Sequence, residues 1–246
     1  ERHGLPGAFA EWMGVNCEIS PQDDIYRFFD GHPTSINPLR DYLADGWRTL
    51  AELMLLLESV DRPLLRVASF LEFASGHGRF TRHLAQALGA GKVTVSDVVP
   101  DAVQFARDVL GVQGFVSTRE PQALAWRGRH EVVFALSLFS HLPRASWGPW
   151  LTKLGELVAP GGLLILTTHG AEAARRQQVA LDAEGFFFAP SSESTAIDAQ
   201  DYGTTFTSES FVRARVAECL PGMALLRFAP TWFWHHQDAV VIHKPA

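Results

Sequence analysis

The chain has 246 residues, 47% of them hydrophobic and 20% charged, with a formal net charge of −6. That length suffices for one α/β domain with a sizeable core, alone or with an appendage, and the acidic balance without a basic stripe argues against a nucleic-acid binder. Cys17 and Cys219 stand far apart and outside any C-x-x-C pair, so neither a disulfide framework nor a zinc site is expected. No leader or membrane-length apolar run is seen, which makes the cytoplasm the expected compartment.

Glu1 to Pro21 shows scattered Gly and Pro and no sustained period, consistent with an arm or a cover. Asp23 to Asp30 predicts a short helix, ended by Gly31-His32-Pro33. From Pro38 to Val60, Leu39, Tyr42, Leu43, Trp47, Leu50, Leu53, Met54 and Leu57 recur at three- and four-residue steps, which predicts a long amphipathic helix. Residues 1–60 therefore read as an N-terminal helical extension, either packed on the domain over 61–246 or closing over its ligand site.

The apolar run Leu64 to Phe73 predicts a strand that passes through Ala74-Ser75-Gly76-His77-Gly78 into a helix over Arg79 to Leu88. Gly76 and Gly78 let the backbone approach a ligand, and free N–H groups at the following helix start favour an anionic or strongly polar group. The bland reading, an ordinary glycine turn, stays open on this stretch alone. Lys92 to Ser96 is the next strand, and Asp97 ends it about 20 residues beyond the glycines, where a carboxylate can hold a ribose diol. Two nucleoside cofactors fit. For a nicotinamide dinucleotide the third glycine position is occupied by Thr81.

Pro100 opens a helix over Asp101 to Leu110, followed by a third strand at Phe115 to Ser117 and a fourth at Val132 to Ser137. A crossover helix at Ala145 to Val158 and a fifth strand at Leu163 to Thr168 come next. Residues 171–207 read as an irregular insertion, helical only near Ala171 to Asp182. Ser208 caps a further helix, and Met223 to Ala229 with Ala239 to His243 predict a terminal antiparallel pair. The expected fold is α/β: a Rossmann-like, seven-stranded, mostly parallel sheet with helices on both faces and its last strand antiparallel.

Glu72-x-x-x-Gly76-x-Gly78 followed by Asp97 resembles the first motifs of class I S-adenosylmethionine-dependent methyltransferases. His130 to Pro143, HEVVFALSLFSHLP, is similar to that family's fourth strand and its loop, and Ala159 to Thr168, APGGLLILTT, to its fifth strand. The resemblance runs over about 64–170. It implies S-adenosylmethionine as cofactor and S-adenosylhomocysteine as product, held by Glu72, Ala74, Ser75, Gly76, His77 and Gly78. Asp97, Val98 and Ser137 add to that set, and Ser117 and Thr118 stand where the family often has an acidic residue after its third strand. Ala74 replaces a family glycine, which requires a negative φ there. Arg48 either meets the cofactor carboxylate or is solvated and paired with an acid.

Methyl transfer to a hydroxyl needs a base. His141, after the fourth strand, is the first candidate and His169, after the fifth, the second; each is alternatively a loop histidine held by local hydrogen bonds. Tyr202 in the insertion, and Trp232 and His235 in the tail TWFWHHQ, are candidate substrate contacts, although the tail equally suits a core corner or a homodimer contact. No third ligand accompanies His235-His236, so no metal is assigned. The expected function is O-methylation of a glycan, sugar-bearing metabolite or natural product. The rivals are a non-catalytic cofactor-binding partner or sensor and a nicotinamide oxidoreductase.

Overall fold

The computed structural model describes residues 12, 14–191 and 197–246; most of the expected N-terminal arm and the middle of the insertion lie outside them. The described chain forms two compact units, residues up to 68 with 75–117, and residues 69–74 with 118–246.

In the first unit, Asp23 starts α1 (Asp24–Gly31) by accepting the Tyr26 N–H at 3.0 Å, while its other oxygen accepts the Tyr42 hydroxyl at 2.6 Å. Asn37 caps α2 (Pro38–Glu58), whose first turn opens with Pro38, a residue that has no N–H to leave unpaired. The expected stripe is buried at Leu39, Tyr42, Leu43, Leu50, Leu53 and Leu57, but Trp47 is 42% exposed and lies against the His83 ring. The reason is Gly46, which brings α2 so close to the start of α3 (Thr81–Leu88) that an added Cβ would sit 2.2 Å from the Arg79 carbonyl. Strand β2 (Val93–Asp97) pairs in parallel with β3 (Gln113–Val116), joined by α4 (Pro100–Leu110) and its left-handed cap, Gly111.

Arg82 ties this unit together. Its guanidinium is buried, donates to the carbonyls of Gly78, Asn16 and Glu18 at 2.9, 2.7 and 2.9 Å, and lies over the Tyr42 ring. One side chain thus links residues 16–18 to the glycine turn.

The second unit holds seven strands. β1 (Phe70–Phe73), β4 (His130–Ala135) and β5 (Val158–His169) run parallel in that order, and β9 (Gln237–His243) runs antiparallel on β5 with His169 opposite Gln237. β8 (Ala224–Phe233) pairs antiparallel with β9. The sheet face is covered by α5 (Arg144–Glu156) and α7 (Glu209–Cys219), with Trp147 packed edge-on against both Phe139 and Phe211. Ser208 caps α7 by accepting the Phe211 N–H at 3.1 Å. The insertion departs from expectation: after the short α6 (Ala171–Arg176), Phe186–Ala189 and Thr204–Thr207 form β6 and β7, an antiparallel pair attached to β5 at His169. Among the described residues the strands therefore number nine rather than seven. No helix among the described residues is long and apolar enough to cross a membrane.

One expectation is overturned at the end of β1. Ala74 has φ of +61°, not a negative value. A side-chain-bearing residue held there costs about 1–2 kcal/mol, against about 0.5–1 kcal/mol for the extra freedom glycine loses on folding. Ala74→Gly is thus expected to raise stability by up to about 1 kcal/mol, seen as a higher urea midpoint at unchanged slope. A lowered midpoint would show that the methyl group is held by packing.

Candidate functional site

In the first unit the site is built on the turn after β1 and the end of β2. Gly76 has φ of +54° and nothing within 4 Å of the point where a Cβ would stand, so its outer side is open to a ligand. Gly78 differs: a Cβ there would meet the Leu110 side chain at 2.5 Å, which makes it a packing glycine between turn and α4. Asp97 is 9% exposed and closes the turn, accepting the Gly76 N–H at 2.8 Å on one oxygen and the Val99 N–H at 2.9 Å on the other. Burial pushes its pKa up while the N–H groups of Val99 and Gly76 pull it back. The Val98 N–H also bonds this carboxylate, which keeps acceptor capacity for a neighbouring hydroxyl.

The other candidates of this unit have local partners. Ser75 donates its N–H to the Ser96 carbonyl at 3.1 Å, and Ser117 donates its N–H to the Asp97 carbonyl at 2.8 Å. His77 is 8% exposed, with Nε2 3.0 Å from Asp101. Val98 follows Asp97 at the mouth of the turn. Arg48 lies on an exposed face of α2 and donates to Glu52 at 2.8 Å, the acid-paired placement.

In the second unit Glu72 is buried on β1, 2% exposed, and Ala74 follows it. Thr118 donates its hydroxyl to the Glu120 carbonyl at 2.7 Å. The richer arrangement lies after β4 and β5. His141 stacks on Tyr202 with ring centres 4.4 Å apart, His169 is 6.0 Å away, and His236 lies 4.8 Å from His169. The Nδ1 of His141 is 2.7 Å from the Gly203 carbonyl, and that of His169 is 3.2 Å from the Thr205 carbonyl. A carbonyl only accepts, so both rings carry hydrogen on Nδ1 and present a bare Nε2. Burial lowers both pKa values, that of His169 to about 3 with added repulsion from His236 and His141.

The sequence reading missed two buried residues of this cluster. Gln237 reaches Ser137, Thr167 and His169, and Asp238 packs its carboxyl against Gly170 while accepting the Thr231 N–H at 2.8 Å. Trp232 lies under the Arg227 guanidinium on β8, and His235 is an exposed turn residue with φ of +55°, its carbonyl accepting from Arg176. Neither is in contact with the histidine cluster through any of these bonds. Among the described residues no group of three or more His, Cys, Asp or Glu side chains is arranged to hold a metal.

These burials predict opposing pH effects. His83, buried beside Arg82, has its pKa lowered to about 4, so between that value and the unfolded 6.5 the unfolded chain binds more protons; His169 acts alike. Stability falls as pH drops below 6.5. Burial raises Asp238 to about 6 from 3.8, so its contribution is full below 3.8 and is lost as pH rises through 6. Asp238→Asn is expected to be more stable than the parent by about 1–3 kcal/mol at pH 7 and to lose that advantage by pH 4, read from melting temperatures. A pH-independent difference would deny the carboxyl this role.

Residues 70–162 match the model of the family described as "Methyltransferase domain". No curated protein sequence matches the chain. Among solved structures, magnesium protoporphyrin IX methyltransferase from Synechocystis PCC 6803 with bound S-adenosylhomocysteine aligns at 18% identity and TM-score 0.57, covering 97% of this chain and 99% of that one. The CcbJ methyltransferase from Streptomyces caelestis aligns at 15% identity and TM-score 0.58, covering 91% and 97%. A 1,6-didemethyltoxoflavin N1-methyltransferase from Burkholderia thailandensis, with its substrate and S-adenosylhomocysteine bound, aligns at 15% and 0.56, covering 93% and 92%. The chain therefore shares the Rossmann-like fold of these structures, with N-terminal helices and the β6–β7 pair.

Proposed function

We propose that this protein is an S-adenosylmethionine-dependent methyltransferase that moves a methyl group to a hydroxyl of a small molecule, with His141 as general base. The observation that carries the transfer to oxygen is the tautomer of His141, whose Nδ1–H is held by the Gly203 carbonyl so that Nε2 is a ready proton acceptor. The open side of Gly76 and the remaining acceptor capacity of the Asp97 carboxylate support binding of the cofactor's ribose. When bound, the cofactor supplies an electrophilic methyl on a sulfonium sulfur. His141 would take the proton of the acceptor hydroxyl on its Nε2 as that oxygen is methylated.

His169 is the weaker base, because its low pKa and the Gln237 amide facing its Nε2 leave little proton affinity. Tyr202, stacked on His141, offers one flat wall for an acceptor ring such as a sugar or a natural-product ring. Two of the structures above are named for small molecules, magnesium protoporphyrin IX and 1,6-didemethyltoxoflavin, which supports that acceptor class, and the cytoplasm is the compartment proposed.

Calorimetric titration with S-adenosylhomocysteine beside NAD tests the reading. Binding of S-adenosylhomocysteine alone is the expected result; binding of NAD alone would overturn the cofactor reading and favour the nicotinamide oxidoreductase. S-adenosylhomocysteine binding without transfer to any hydroxylated acceptor panel would favour the non-catalytic module.

A further inference from the structure

We propose that Gln237 is a positioning residue that sets the hydrogen-bond polarity of Ser137 and His169. The carboxamide of Gln237 is 3% exposed and stands opposite His169 in the β5–β9 register. Its Oε1 is 2.5 Å from Thr167 Oγ1, and its Nε2 is 2.5 Å from Ser137 Oγ and 3.4 Å from His169 Nε2. Ser137 closes the circuit by giving its own N–H to Thr167 Oγ1 at 2.8 Å.

Two groups that cannot reverse fix the direction of every bond in this circuit. The Ser137 N–H can only donate, so Thr167 Oγ1 accepts it and keeps its own hydrogen, which goes to Gln237 Oε1 once the His169 end has set the amide orientation. From the other end, the Thr205 carbonyl can only accept, so the His169 hydrogen is on Nδ1 and its bare Nε2 needs a donor. The amide nitrogen is that donor. The opposite amide orientation would place an acceptor oxygen against Nε2 and require a charged imidazolium in a buried setting already crowded by His141 and His236.

The consequence falls on Ser137. Its Oγ accepts from Gln237, so its hydroxyl hydrogen is released from the network and is a donor for a ligand oxygen or nitrogen. Ser137 is held in place for this by a φ of +59° and by the Tyr202 hydroxyl on its carbonyl at 3.4 Å. What that hydrogen meets rests on the methyltransferase reading; the polarity of the network does not.

The test uses the full chain labelled with ¹⁵N in its histidines, the His169 signal being assigned by its loss in His169→Asn. In the parent, His169 is expected as the Nδ1–H tautomer, neutral to well below pH 5. In Gln237→Glu a carboxylate replaces the donor at Nε2, and His169 is expected to titrate at a pH higher by two units or more. Unchanged His169 titration and tautomer in Gln237→Glu would overturn the proposal. Gln237→Leu gives a second reading: its affinity for S-adenosylhomocysteine is expected to fall about 5–10-fold, like that of Ser137→Ala, with no further loss in the double variant. Parent-like affinity in Gln237→Leu, or additive losses, would overturn the role for Ser137. A parent chain that binds no S-adenosylhomocysteine would refute the methyltransferase reading and leave the histidine titration to decide on Gln237.

Discussion

Asp97→Ala is expected to weaken S-adenosylhomocysteine binding by about 100-fold or more, since each charge-assisted hydrogen bond is worth about 1.5–3 kcal/mol. Two losses combine. The ribose acceptors disappear, and so do the bonds from Gly76 and Val99 that shape the turn. Asp97→Asn separates little from Ala in this respect, because its NH2 group must face one of those two backbone N–H donors. Calorimetry on both variants, with melting temperature as a check on folding, decides the matter: parent-like affinity in Asp97→Ala would remove the carboxylate from the cofactor site.

Replacing His141 should act on rate instead. His141→Ala is expected to lower the transfer rate by about 10²–10⁴-fold, the usual worth of a positioned general base, with S-adenosylhomocysteine affinity nearly unchanged. His169→Asn should cost less, because its Nε2 is already occupied by Gln237. Burial lowers the His141 pKa, so transfer should persist to a pH below the ordinary imidazole range before it fails on the acid side. Full activity in His141→Ala, or equal losses in the two variants, would move the base elsewhere.

The parts of this molecule that were legible in its sequence are those whose cause is local. The glycine turn, Asp97 and the strands around them follow from alternation, spacing and two small residues within a few tens of positions. The α2 stripe was legible too, yet Trp47 was not, because its place is set by Gly46 meeting the Arg79 carbonyl in the turn before α3. Phe186–Ala189 looked irregular because a four-residue strand carries almost no period, and its partner Thr204–Thr207 lies across the insertion. Ala74 has a conformation that composition alone contradicts, and only the fold around it explains the positive φ. Gln237 was invisible for a related reason: the residues that give it meaning are 70 and 100 positions away.

That separation also orders events during synthesis. At about 5–20 residues per second, a ribosome releases Thr167 several seconds before the Gln237 that caps its hydroxyl. In that interval β5 has β4 beside it and β7 only at His169 but lacks β9, so its edge from Leu163 to Thr168 faces the surroundings with its backbone groups unpaired. The nascent chain is therefore most open to strand-pairing errors between the emergence of β5 and that of β9, a window in which a chaperone would have its main effect on yield.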